Sequence, residues 1–257
     1  MQKREFIPNK KGLKLAAIVH KPESNGIFPA VILLHGFTGY KEEEHIETLA
    51  RDLASEGIVA IRFDASGFGG SQGTIEKDFR FSNYLSDIDA IYDYLKSQEF
   101  VDKNRIGIWG HSMGAMLAII FAAQNKQIKA VCSVSAPPLM GDSDKIALVM
   151  ENWKEKGWYT RNFSKTGEEV KIPYAFIQDA QKFNVLDYVA NVHAPLLIVI
   201  GKIDDAVRPK STRKIFDSAN EPKKLLEYDG MGHDYKKYPE LLSKVNKDIL
   251  AFFEENL

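Results

Sequence analysis

A chain of 257 residues, 44% hydrophobic and 27% charged, can bury one substantial core and suits one large domain better than two small ones. Its 34 Lys and Arg against 35 Asp and Glu leave a formal net charge of −1, and the longest block of like charge is the short "EEE" at 42–44. That balance argues against nucleic acid or a membrane surface as partner.

The basic opening, "MQKREFIPNKKGLKLAAIVHKP", holds no apolar run longer than Leu15 to Val19, so neither a signal-peptide core nor a membrane-inserted segment is expected there. Within it "REFIPN" and "LKLAAIVHK" are strand-like with no helix between them, which predicts an antiparallel hairpin at a sheet edge. Strand-like runs then alternate with helical patterns. "AVILLHG" (30–36) precedes a helix around 43–56 stopped by Gly57, and "IVAIRFD" (58–64) precedes a helix around 82–98. The unit "RIGIWGHSMGAMLAIIFAA" (105–123) and the strand "IKAVCSVSA" (128–136) follow. Last come "APLLIVIGK" (194–202), a helix near 209–218, "KKLLEYDG" (223–230) and a helix from about 239 to 255. The alternation predicts an α/β fold with a mostly parallel sheet covered by helices on both faces.

The stretch from Pro137 to His193 breaks this rhythm. It is rich in aromatics and carries a "KTGE" turn, and a structureless loop of that length is unexpected in a compact domain. It reads as an inserted lid of helix and hairpin character, 137–193, in a single domain whose core is 1–136 and 194–257. The one cysteine, Cys132, lies in a buried-strand pattern, so no disulfide forms within the chain and a cytoplasmic location is the default expectation.

Ser112 stands between Gly110 and Gly114 where an apolar strand turns into a helical pattern. Glycine lacks the Cβ that would collide with the neighbouring strand and helix, so this G-x-S-x-G corner can bend sharply and present the serine beyond the strand end. A nucleophilic serine needs a base, a group that orients the base, and an oxyanion site. In parallel α/β sheets these belong at the carboxyl ends of strands. His35 and Gly36 follow "AVILL", the adjacent Asp204 and Asp205 follow "LLIVIGKI", and His233 follows "LLEYDGMG". The order Ser, acid, His is that of an α/β-hydrolase triad. Either aspartate satisfies the pattern. His35 and His111 read as structural neighbours of the site, and His20, His45 and His193 carry no signal. No Cys/His cluster has metal-ligand spacing, and "GFGG" is followed by neither a P-loop lysine nor a dinucleotide fingerprint, so no metal or cofactor is expected.

On these motifs nearly the whole chain resembles the α/β-hydrolase superfamily, and its size and lid are similar to the serine esterases that include cinnamoyl and feruloyl esterases. The resemblance implies Ser112 as nucleophile, His233 as base and Asp204 as acid, in "GKIDDAVRP". It also implies an oxyanion hole from the backbone N–H groups of Phe37 and Met113. "DASGFGGSQG" (64–73) resembles the family's Asp- and Gly-rich turn and reads as structural. The lid aromatics Trp153, Trp158, Tyr159, Phe163, Tyr174 and Phe176 either line an acyl pocket or form the lid's own core.

The function these features imply is hydrolysis of small or medium esters, with hydroxycinnamoyl-type esters among them, through an acyl-enzyme. The expected partner is a small-molecule ester, and the chain is compatible with a monomer or a homodimer. Two rivals are a serine peptidase or amidase resembling the prolyl-oligopeptidase catalytic domain, and a non-enzymatic receptor that keeps the pocket.

Overall fold

In the computed structural model, which describes residues 1–142, 144–163 and 165–257, the opening segment folds as the antiparallel pair β1 (Gln2–Pro8) and β2 (Lys14–His20). Next come β3 (Phe28–Leu34), α1 (Glu44–Ser55), β4 (Val59–Phe63), α2 (Phe81–Ser97), β5 (Val101–His111), α3 (Met113–Gln124) and β6 (Ala130–Val134). The inserted stretch contributes α4 (Asp144–Lys156), the antiparallel hairpin β7 (Trp158–Asn162) and β8 (Glu169–Pro173), α5 (Tyr174–Ala180) and two 3₁₀ turns. The chain then closes with β9 (Leu196–Gly201), α6 (Pro209–Ser218), β10 (Lys223–Tyr228), a 3₁₀ turn at Tyr235–Lys237 and α7 (Pro239–Asn256).

Eight strands form one sheet in the order β1-β2-β4-β3-β5-β6-β9-β10. From β4 to β10 every pairing is parallel, whereas β1 and β2 add to the β4 edge antiparallel. Strand β5 starts earlier than the apolar run predicts. Its polar start, Val101 to Arg105, is tied to the sheet by the pairing of Val101 with Phe28, and a register shift then separates this from the pairing of Ile106 with Ala30.

Side-chain alternation along the central strands divides the apolar core between the two faces. Ala30, Ile32 and Leu34 of β3 point into one cluster, Val31 and Leu33 into the other. α1 and α7 cover the second cluster with Ile46, Leu49 and Leu53 and with Val245, Ile249 and Phe253. α2 and α3 cover the first, and the inserted stretch adds Trp153, Phe163, Ile172 and Phe176 to it. α3 is buried from Met113 to Ala122, which is why its sequence there is apolar on all sides rather than striped.

Sheet geometry positions the site. Three non-glycine residues with positive φ occur among the described residues: Thr38 at 56°, Ser112 at 58° and Ser135 at 53°. They lie just past the carboxyl ends of β3, β5 and β6, so the backbone turns sharply at one end of three adjacent strands. Bulky side chains are costly in that conformation and small polar ones are tolerated.

Candidate active site

Ser112 joins β5 to α3 with φ 58° and ψ −118°. The bend requires both flanking glycines. A Cβ on Gly110 would lie 2.1 Å from the carbonyl oxygen of Gly114, and one on Gly114 would lie 2.4 Å from that of Leu34. The Ser112 amide donates to the Val134 carbonyl at 2.9 Å, anchoring the turn to β6. Met113 opens α3, where amides have no acceptor within the helix.

His233 lies between β10 and α7. Its Nε2 is 3.1 Å from Ser112 Oγ, and its Nδ1 is 2.9 Å from Asp204 Oδ2. The other carboxylate oxygen of Asp204 accepts from the amides of Ala206 at 3.0 Å and Val207 at 2.7 Å, so the turn after β9 holds this carboxylate toward the imidazole. The Asp204 side chain is 2% exposed and that of His233 20%, whereas Asp205 is exposed. Three side chains far apart in sequence therefore meet at hydrogen-bond distances.

Phe37, expected with Met113 in an oxyanion site, follows β3 and borders the cleft beside Ser112. His35 is buried, with Nδ1 2.9 Å from the Gly36 carbonyl and Nε2 accepting from the Ala65 amide, so both ring nitrogens are used in holding the backbone. His111 is buried with its ring centroid 4.7 Å from that of His233, and His45 lies 5.0 Å behind it. Burial pushes His111 well below the ordinary imidazole range, with His233 and His45 beside it adding to the effect. Burial likewise lowers His45 to about 4. Asp64, in the glycine-rich turn, accepts from the amides of Lys41 and Gly70 and from Lys41 Nζ, each at 2.7–2.8 Å, and so serves as an internal brace.

The six aromatics singled out in the inserted stretch are not among the residues bordering the cleft at Ser112. Trp153 stacks with Phe176 at 6.5 Å and donates its Nε1–H to the Ile172 carbonyl at 2.9 Å. Phe176 packs on Phe37 at 4.9 Å and on Phe79 at 4.8 Å, Phe163 on Phe68 at 5.0 Å, and Tyr159 and Tyr174 against Trp153. Trp158 is 45% exposed, with Lys171 Nζ over its ring. Trp158 apart, these rings pack on one another and on Phe37, Phe68 and Phe79 of the loops after β3 and β4, because that is where most apolar surface leaves water.

Beside Phe37, His111, Ser112 and His233, the cleft is bordered by residues that belong to no motif. Arg161 and Asn162 of the hairpin line it, as do Glu43, Asp234, Lys236 and Lys237. Glu43, which sits in the acidic run at 42–44, is 7% exposed and pairs with Lys236. Its partner lies 193 residues away, so no local pattern marks it. Asp234 could have been found as the neighbour of His233.

Among the described residues no group of three or more His, Cys, Asp or Glu is arranged to hold a metal ion, and no helix is long and apolar enough to cross a membrane.

Known proteins are similar to this chain in sequence or in structure. The protein in the traX-finO intergenic region of Escherichia coli, an uncharacterized 31.7 kDa protein, is 26% identical over 250 residues, covering 83% of this chain and 86% of its own. Est1E from Butyrivibrio proteoclasticus, solved with ferulic acid bound, is 27% identical with a TM-score of 0.78 over 97% of this chain and 98% of its own. The Pyrococcus furiosus esterase PF2001, at 23% identity and TM-score 0.73 over 100% of this chain and 91% of its own, shares the fold. Residues 27–184, which include the Ser112 elbow, match the family described as serine aminopeptidase, S33. The chain therefore belongs to this serine aminopeptidase S33 family of α/β-hydrolases.

Proposed function

We propose that the protein hydrolyses carboxylic esters through a Ser112-linked acyl-enzyme. The observation that carries this is the continuous relay from Ser112 Oγ through His233 to Asp204, at 3.1 and 2.9 Å. With its proton on Nδ1 facing Asp204, His233 offers a basic Nε2 to the serine hydroxyl. Ser112 Oγ attacks the ester carbonyl as His233 takes its proton, and the Phe37 and Met113 amides receive the charge that develops on the carbonyl oxygen. His233 then protonates the departing alcohol, activates a water against the acyl-enzyme, and returns the proton to Ser112 as the acid leaves. Similarity to Est1E, which binds ferulic acid, supports including hydroxycinnamoyl esters among the substrates.

A fluorophosphonate probe should label the wild type and not Ser112→Ala, and a panel of acyl and hydroxycinnamoyl p-nitrophenyl esters should show turnover. Absence of both labelling and turnover would overturn the reading in favour of a receptor. The family's description as serine aminopeptidases favours a second reading, amide hydrolysis by the same residues. Faster turnover of aminoacyl p-nitroanilides than of matched esters would establish it.

A further inference from the structure

The cleft at Ser112 has two unlike halves. One, about 210 Å³, is bordered by Glu43, Asn162, Asp234, Lys236 and Lys237, and the other, about 140 Å³, by Pro137, Met140, Asp142, Ala206 and Val207. Arg161 borders both, as do Phe37, Ser112 and His233. From this arrangement we propose that Arg161 is a specificity-determining residue that recognises an anionic group, such as a carboxylate, on the substrate.

Charge pairing is what singles it out. Lys236 is neutralised by Glu43, and Lys237 Nζ lies 2.8 Å from Asp234. Among the described residues Arg161 makes no ion pair with a carboxylate, Asp142 on the other half included. Among the described residues the polar half is bordered by three cations and two carboxylates, and Arg161 is the cation not in an ion pair with either of them. Its guanidinium lies over the Phe37 ring, 5.9 Å from the centroid, and a ring face attracts the cation without occupying its N–H edges. Those N–H groups suit a bidentate contact with a carboxylate. Because Phe37 also follows β3 beside Ser112, the same contact ties the cation to the wall of the reacting centre. The apolar side chains across the cleft suit the opposite end of such a substrate, so the preferred ester is amphipathic.

The inference rests on the ester-hydrolase reading, and paired substrates separate the two. Mono-p-nitrophenyl glutarate against p-nitrophenyl valerate places the carboxylate on the acyl end, and 4-acetoxybenzoate against its methyl ester, followed by phenol release, places it on the alcohol end. In wild type the anionic member of at least one pair should have the higher kcat/KM. The anionic-to-neutral ratio should fall about three- to fivefold in Arg161→Gln, the scale of an exposed charge contact, fall further in Arg161→Glu, and be partly retained in Arg161→Lys. The preference should also weaken with added salt. Turnover of the neutral esters with no Arg161-dependent ratio in either pair would overturn this proposal alone. No turnover of any ester and no fluorophosphonate labelling would overturn the function on which it rests.

Discussion

Among single residues, two adjacent carboxylates after one strand make opposite predictions. Asp204 turns one oxygen to His233 and satisfies the other with two amides of its own turn, whereas Asp205 is exposed. Asp204→Asn keeps the shape but can present an amide donor where the imidazole N–H needs an acceptor, and kcat should drop by about 10⁴. Asp205→Asn should cost less than about tenfold, the scale of one modest interaction. Steady-state kinetics on one ester check both, and the reverse ordering would move the acid to Asp205. Ser112→Ala should lower kcat on the order of 10⁴ to 10⁶ with the fold intact by circular dichroism, since a slightly smaller side chain replaces the serine at the elbow. Retention of more than about a tenth of the activity would show that Ser112 is not the nucleophile. The Ser, acid, His order was legible in the sequence, but the choice between the aspartates was not. It depends on which way a turn directs its side chains, and both residues suit the turn.

Among the elements, the inserted stretch is a second small sheet and two helices whose rings merge with those of the main core. Two tryptophans in it separate packing from exposure. Trp153 is 3% exposed, stacked and hydrogen-bonded, so Trp153→Ala should cost about 3–5 kcal/mol in urea unfolding and open the stretch to limited proteolysis. Trp158 stands 45% exposed at the start of β7, and Trp158→Ala should change stability by no more than about 0.5 kcal/mol. Equal losses for the two would mean that the inserted stretch is not held by its inward rings. Helix and hairpin character in this stretch was legible from its aromatics and its "KTGE" turn. The side to which each ring turns was not, because alternation in a short hairpin marks two faces without saying what covers either.

Across the molecule as a whole, burial of uncharged histidine makes stability depend on pH. His45 is fully buried, and burial lowers it from 6.5 to about 4. Between those values the unfolded chain holds a proton that the folded chain does not, so stability present above pH 6.5 is lost as the pH falls toward 4. At pH 4.5 the loss from this residue should be roughly 2–3 kcal/mol, since each pH unit below the unfolded value costs about 1.4 kcal/mol until the folded value is reached. Urea unfolding at pH 7 and 4.5 should therefore show a smaller drop for His45→Leu than for wild type. An identical drop would assign the acid sensitivity to other groups. EDTA should leave the hydrolysis rate unchanged, and inhibition reversed by a divalent ion would reveal a metal that the reaction needs. Periodicity along the chain was enough to specify the alternating strands and helices and the parallel core with its antiparallel edge, and the space that glycine leaves was enough to specify the sharp corner at Ser112. Both are local properties of the amino-acid order. That Asp204 faces His233, that Glu43 is buried against Lys236, that Trp153, Phe163 and Phe176 of the inserted stretch turn inward and that Arg161 reaches the cleft were settled by packing in three dimensions. Those outcomes depend on contacts between distant segments, and a pattern that marks which face of an element is apolar does not specify which distant side chain will cover it.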